Sequence, residues 1–193
     1  MVSDSLSRNI RVGNINKILQ QHSDVESLQE SVRIDKFPGA TADKFAHCSK
    51  FSIEALKPVQ LFVIAGTNDI SYSNGEIDPE ILAVRILNIG IQAVEMGVKC
   101  VCIQGIPTRR GRKYNDLIRQ VNLYLQTFCK DAGFVFKSSD DIDRFSDLNR
   151  DGLHLNFRGT QKLIYSILSS QSSFNPFYGP LKDTIDSWGL GGY

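Results

Sequence analysis

The sequence predicts an α/β fold built on a mainly parallel sheet, and three observations carry that reading. Residues 59–65 form an apolar run broken only by Gln60, and residues 98–106 form a second run that Pro107 ends. Such runs are expected of strands buried on both faces of a parallel sheet. Helical patterns follow both runs, with apolar residues at Ile81, Leu82, Val84, Ile86, Leu87, Ile91 and Val94, and again at Leu117, Ile118, Val121, Leu125 and Phe128. Strands and helices therefore alternate along the chain, which is the arrangement of parallel βαβ units.

The remaining elements follow in order. Residues 1–3 are extended at best and too short for a full core strand. Leu6, Ile10, Ile15, Ile18 and Leu19 recur at roughly helical spacing, with Gly13 as a weak point. Residues 32–35 alternate as a strand, and Phe37, Pro38 and Gly39 stop it. Thr41 suits the cap of a short helix carrying Phe45 and Cys48. Residues 71–75 read as a polar loop, and Pro79 fits the first turn of the next helix. Residues 108–113 read as a basic loop before the helical pattern over 114–131, with Gly133 as its stop. Residues 134–136 are a short last strand, and a polar, acidic loop leads to Asp151. The final helix is expected over 156–169, with Leu163, Ile164, Ile167 and Leu168 inward. From Ser170 the pattern decays, so the expected organisation is one domain over 1–170 and a tail over 171–193 that wraps the body or is partly disordered.

Bulk properties narrow the function classes. A chain of 193 residues is most simply one domain with room for a real core. Its formal net charge of +1 gives no overall pull toward nucleic acid or membrane. No apolar run reaches the roughly 20 residues of a membrane span, and the N-terminus lacks signal-peptide character. A cytoplasmic or other intracellular protein is expected. Of the four cysteines, Cys100 and Cys102 share one strand face, Cys48 and Cys129 lie in helical patterns, and no spacing suggests zinc. Buried thiols in a reducing compartment is the plain expectation.

The candidate chemistry converges on one rim. Ligands of open α/β sheets bind at the carboxyl ends of the strands, and Ser5, Gly39, residues 66–69 and the basic loop each follow a predicted strand. Asp151 stands three residues before His154 with Gly152 between them. In that spacing the carboxylate can accept from one ring nitrogen and leave the other as a base. Ser5 supplies a hydroxyl nucleophile. The backbone N–H groups of Ser5 and Gly39 and the Asn68 amide supply donors for an oxyanion. Each residue also has a plainer role. Ser5 or Ser7 suits a helix cap, Asn68 a turn, Asp69 a loop support, Asp151 a helix entry, and His22 and His47 helix surfaces.

Taken together, the four stretches resemble the blocks of the SGNH, or GDSL-type, hydrolases. Ser3-Asp4-Ser5-Leu6 matches the first block, Gly39 the second, Gly66-Thr67-Asn68-Asp69 the third and Asp151-Gly152-Leu153-His154 the last. The resemblance implies a flavodoxin-like three-layer α/β/α sandwich and a serine esterase or lipase-type acyl hydrolase that uses no metal or other cofactor. It implies Ser5 as nucleophile, Asp151 and His154 as acid and base, and Ser5, Gly39 and Asn68 as the oxyanion hole. More narrowly, the chain is similar to SGNH domains of animal retrotransposon proteins. It departs from the family pattern at Ser3, where glycine is usual, and in having only residues 1–3 for the central first strand. That shortness implies a fragment of a longer protein or a start read too late.

The rival expectation is a non-catalytic module that keeps the fold and binds nucleic acid or another copy of itself within a retroelement protein. Arg109, Arg110, Arg112 and Lys113, the one dense charge cluster, are its candidate contacts with nucleic acid or with an acidic substrate; a solvated loop is the plainer reading. No glycine-rich phosphate loop follows a strand, which argues against a nucleotide-binding flavodoxin-like domain. The G-x-S-x-G elbow of ordinary α/β-hydrolases is also absent.

Overall fold

The computed structural model describes residues 2–3 and 33–169. The expectations for Ser5, Ser7, the helix over 6–19, His22, Val32 and the tail over 171–193 lie outside the described residues. Within them the chain runs β1 (Val2–Ser3), β2 (Asp35–Lys36), α1 (Ala42–Leu56), β3 (Gln60–Ile64), α2 (Thr67–Tyr72) and α3 (Pro79–Glu95). It continues through β4 (Cys100–Gln104), α4 (Asn115–Asp131), β5 (Val135–Lys137) and α5 (Phe157–Ser169).

The five strands form one sheet in the order β2-β1-β3-β4-β5, and every described pair is parallel. Two-residue β1 is short, as expected, yet it pairs on both sides: Ser3 lies in register with Lys36 of β2 and Ile64 of β3. Side chains alternate across a strand, and here they sort into two cores. Leu61 and Val63 of β3, with Val101 and Ile103 of β4, pack with Phe45 of α1, Ile86 of α3 and Leu125 of α4. Phe62, Ile64 and Cys102 face the other way, onto Leu163, Ile164 and Ile167 of α5. The result is the expected three-layer α/β/α sandwich.

Local signals explain most boundaries. Asp78 caps α3, its Oδ1 accepting from the Glu80 and Ile81 amides at 2.8 and 3.1 Å, with Pro79 in the first turn. Thr41 is the N-cap of α1, which at 15 residues is a full helix rather than the short one expected. Residues 71–75 are not all loop: Ser71 and Tyr72 end α2. Six residues carry too little periodicity to announce a helix. All four cysteines are free thiols. Burial, with Cys102 nearby, pushes the Cys129 thiol well above the ordinary range, as befits an inert core group. No described helix is long and apolar enough to cross a membrane.

Candidate active site

The turn before α5 is held by its own backbone. Leu148 bridges Leu155 in antiparallel fashion, and the Asn149 amide donates to the His154 carbonyl at 2.7 Å. Asn156 caps α5 by accepting from the Gly159 amide at 3.1 Å, while its side-chain amide donates to Ser146 O at 2.8 Å. Beneath the turn Asp147 is fully buried and paired with Arg158 at 3.1 Å and Lys162 at 2.5 Å. Burial raises the Asp147 pKa, but these cations and the Asp143 amide outweigh it and leave the carboxyl below its usual value.

Within this frame Asp151 and His154 meet. Asp151 Oδ1 accepts from the Leu153 and His154 amides at 2.9 and 3.0 Å, and Oδ2 lies 2.9 Å from His154 Nδ1. Burial pushes Asp151 up, but the two amides and the imidazole together hold its carboxyl at about 2. An ionised carboxylate only accepts, so Nδ1 donates to it, and the lone pair of a neutral His154 imidazole is then on Nε2. Gly152 makes the turn possible. Its φ is +69°, and a β-carbon there would lie 2.8 Å from Arg110 Cβ.

A second group assembles at the ends of β2 and β3. The Asn68 side-chain amide, 9% exposed, donates to Ala40 O at 2.9 Å, which ties the third stretch to the loop carrying Gly39. Asp69 accepts from the Ala42 amide through both oxygens, at 3.2 and 3.0 Å, and so fastens α2 to the start of α1. Burial raises the Asp69 pKa against the pull of that amide. Asp69 is therefore the loop support its sequence context predicted.

Sequence reasoning missed what joins the two groups. Arg109 is 9% exposed and points inward. Its Nη2 donates to Thr67 O at 2.7 Å and Ser71 Oγ at 3.0 Å, bracing α2 on either side of Asn68. The next residue turns to the other group: the Arg110 amide donates to Gly152 O at 3.0 Å. One dipeptide thus spans from the Asn68 helix to the Asp151–His154 turn. The basic stretch accordingly divides. Arg109 is a structural clamp, and its surface reading is corrected. Arg110 is half-buried, its Nη atoms 3.5 Å from the Leu148 and Arg150 carbonyls. Arg112 and Lys113 are exposed, with Lys113 donating to Asn74 Oδ1 at 2.6 Å. A single sequence offers no signal separating Arg109 from its neighbours, because charge density looks the same inside and outside. Arg109→Ala leaves the Thr67 carbonyl and the Ser71 hydroxyl without their cation, and should lower unfolding free energy by about 2–3 kcal/mol in urea titration.

Comparisons with known proteins agree with this architecture. No protein-family model matches the chain. The lipase/acylhydrolase from Enterococcus faecalis superimposes with a TM-score of 0.69 at 16% identity, covering 92% of this chain and 98% of that one. The psychrotrophic esterase EstA from Pseudoalteromonas sp. gives 0.64 at 14% identity, covering 98% of both chains. A GDSL-like lipase from Bacteroides thetaiotaomicron gives 0.62 at 15% identity, over 89% of this chain and 84% of that one. The chain therefore has the fold of the SGNH, or GDSL-type, acylhydrolases. By sequence it also resembles the thiamine-phosphate synthase of Pasteurella multocida (strain Pm70), 30% identical over 107 residues. That match takes in 52% of this chain, and the chain spans less than half of that protein's length, 44%.

Proposed function

We propose that this chain is a serine-dependent carboxylic ester hydrolase of SGNH type. The observation that carries the reading is the Asp151–His154 pair, with Oδ2 2.9 Å from Nδ1 and the carboxylate already held ionised. That arrangement prepares Nε2 as a base. Its setting supports the assignment, because the same fold serves proteins described as esterases, lipases and acylhydrolases. The register of β1 supports Ser5 as the nucleophile. Ser3 pairs with Lys36 and Ile64, whose strands lead into Gly39 and Asn68.

In the proposed reaction Ser5 Oγ attacks the acyl carbon while His154 Nε2 takes its proton. Asp151 stabilises the imidazolium that forms. The backbone N–H groups of Ser5 and Gly39 and the Asn68 side chain receive the oxyanion. His154 then protonates the departing alkoxide, leaving an acyl group on Ser5. Water attacks that ester with His154 again as base, releasing the carboxylic acid and restoring the Ser5 hydroxyl.

Turnover of a short-chain p-nitrophenyl ester tests the assignment, read for an initial burst of nitrophenolate that reports acyl-enzyme. Asn68→Ala should lower kcat by on the order of 10²–10³, about 3–4 kcal/mol of lost transition-state stabilisation. The substitution also removes the bond to Ala40 O, so its melting curve should be recorded alongside. Unchanged kcat in a folded Asn68→Ala variant would contradict the oxyanion role.

A further inference from the structure

We infer that Tyr72 is a further substrate-contacting residue, its hydroxyl donating to the oxygen that Gly39 and Asn68 are proposed to bind. The inference rests on the active-site reading above. Tyr72 lies four residues after Asn68 in α2, so the two share one face of the helix. Long helical side chains lean toward the N-terminus, which carries the Tyr72 ring back over the Asn68 end. The position of its hydroxyl agrees. A β-carbon built on Gly39 would lie 3.2 Å from Tyr72 Oη. The Tyr72 hydroxyl therefore lies against the Cα of Gly39, on the loop whose N–H is proposed to receive the oxyanion.

Two further features separate this tyrosine from a packed one. It is 67% exposed although it belongs to a helix whose first four residues are buried. Among the described residues its hydroxyl has no hydrogen-bond partner. The neighbouring glycine is constrained to match. Gly39 has φ +74°, and a side chain there would press on the hydroxyl as well as strain the backbone. The loop thus keeps clear the space that the hydroxyl faces.

The role predicts a kinetic split. A donor that binds the oxyanion more tightly than the ground-state carbonyl raises kcat without lowering KM. Removing a sequestered oxyanion donor costs on the order of 10²–10³, and water can partly replace an exposed one, so Tyr72→Phe should lower kcat about tenfold. KM should stay within about twofold of wild type. Tyr72→Ala should add little to the kcat loss.

The experiment measures kcat and KM for p-nitrophenyl acetate with wild type, Tyr72→Phe, Tyr72→Ala and Asn68→Ala. Wild-type kcat in Tyr72→Phe beside a slowed Asn68→Ala overturns the role of Tyr72 and leaves the oxyanion reading standing. A loss only in Tyr72→Ala, or a rise in KM alone, also overturns it, because the ring or ground-state binding would then be responsible. Undiminished turnover in Asn68→Ala, or no turnover by wild type, overturns the site reading itself.

Discussion

His154→Ala should lower kcat for ester hydrolysis by on the order of 10⁴–10⁶ while leaving the far-ultraviolet circular dichroism spectrum unchanged. The imidazole makes one described hydrogen bond, to Asp151, and the turn that carries it is held by main-chain bonds that alanine retains. The loss is therefore chemical rather than structural. Ser5→Ala should fall to the same floor, and the double variant no lower, because nucleophile and base act as one unit. Additive losses in the double variant would mean that the two residues serve separate steps.

Asp151→Asn should retain the turn but lower kcat by about 10⁴. The asparagine carbonyl can still accept from the Leu153 and His154 amides, as Asp151 Oδ1 does now. Its NH2 group would then face His154 Nδ1, which favours the tautomer protonated on Nε2 and removes the base. The pH dependence supplies a second readout. The Asp151 carboxyl is held at about 2, against an ordinary value of 3.8. A depressed carboxylate contributes stability that is full above the ordinary value and lost as pH falls through the depressed one. The stability that the Asp151 carboxylate contributes, read as the difference between wild type and Asp151→Asn, should accordingly shrink as pH falls from about 4 toward 2. For the same reason, any fall in kcat/KM between pH 4 and pH 7 belongs to a group other than Asp151.

Much of the fold was legible because the sheet is buried on both faces. Continuous apolar runs around β3 and β4 leave few alternatives, and Pro79 and Gly133 mark where helices begin and end. The Asp151–His154 pair was legible because it is local: a three-residue spacing around a glycine needs no long-range knowledge to bring the groups together. What escaped was tertiary. Arg109 looks like Arg112 in sequence, and only packing shows that it braces a helix 42 residues earlier in the chain. Asp147, fully buried on Lys162 and Arg158, was hidden among the acidic residues of a polar loop. The end of α2 at Ser71 and Tyr72 looks like the polar loop that follows it, because Arg109 and Asp69 fasten this helix rather than a periodic apolar face of its own.

The most direct test of the central claim is covalent. A fluorophosphonate mimics the tetrahedral intermediate and is attacked only by an activated serine. Incubation of the full chain followed by peptide mass spectrometry should place one phosphonyl group on Ser5. Labelling should be lost in Ser5→Ala and greatly slowed in His154→Ala. An adduct on another residue, or labelling of equal rate in the Ser5→Ala variant, would contradict the account.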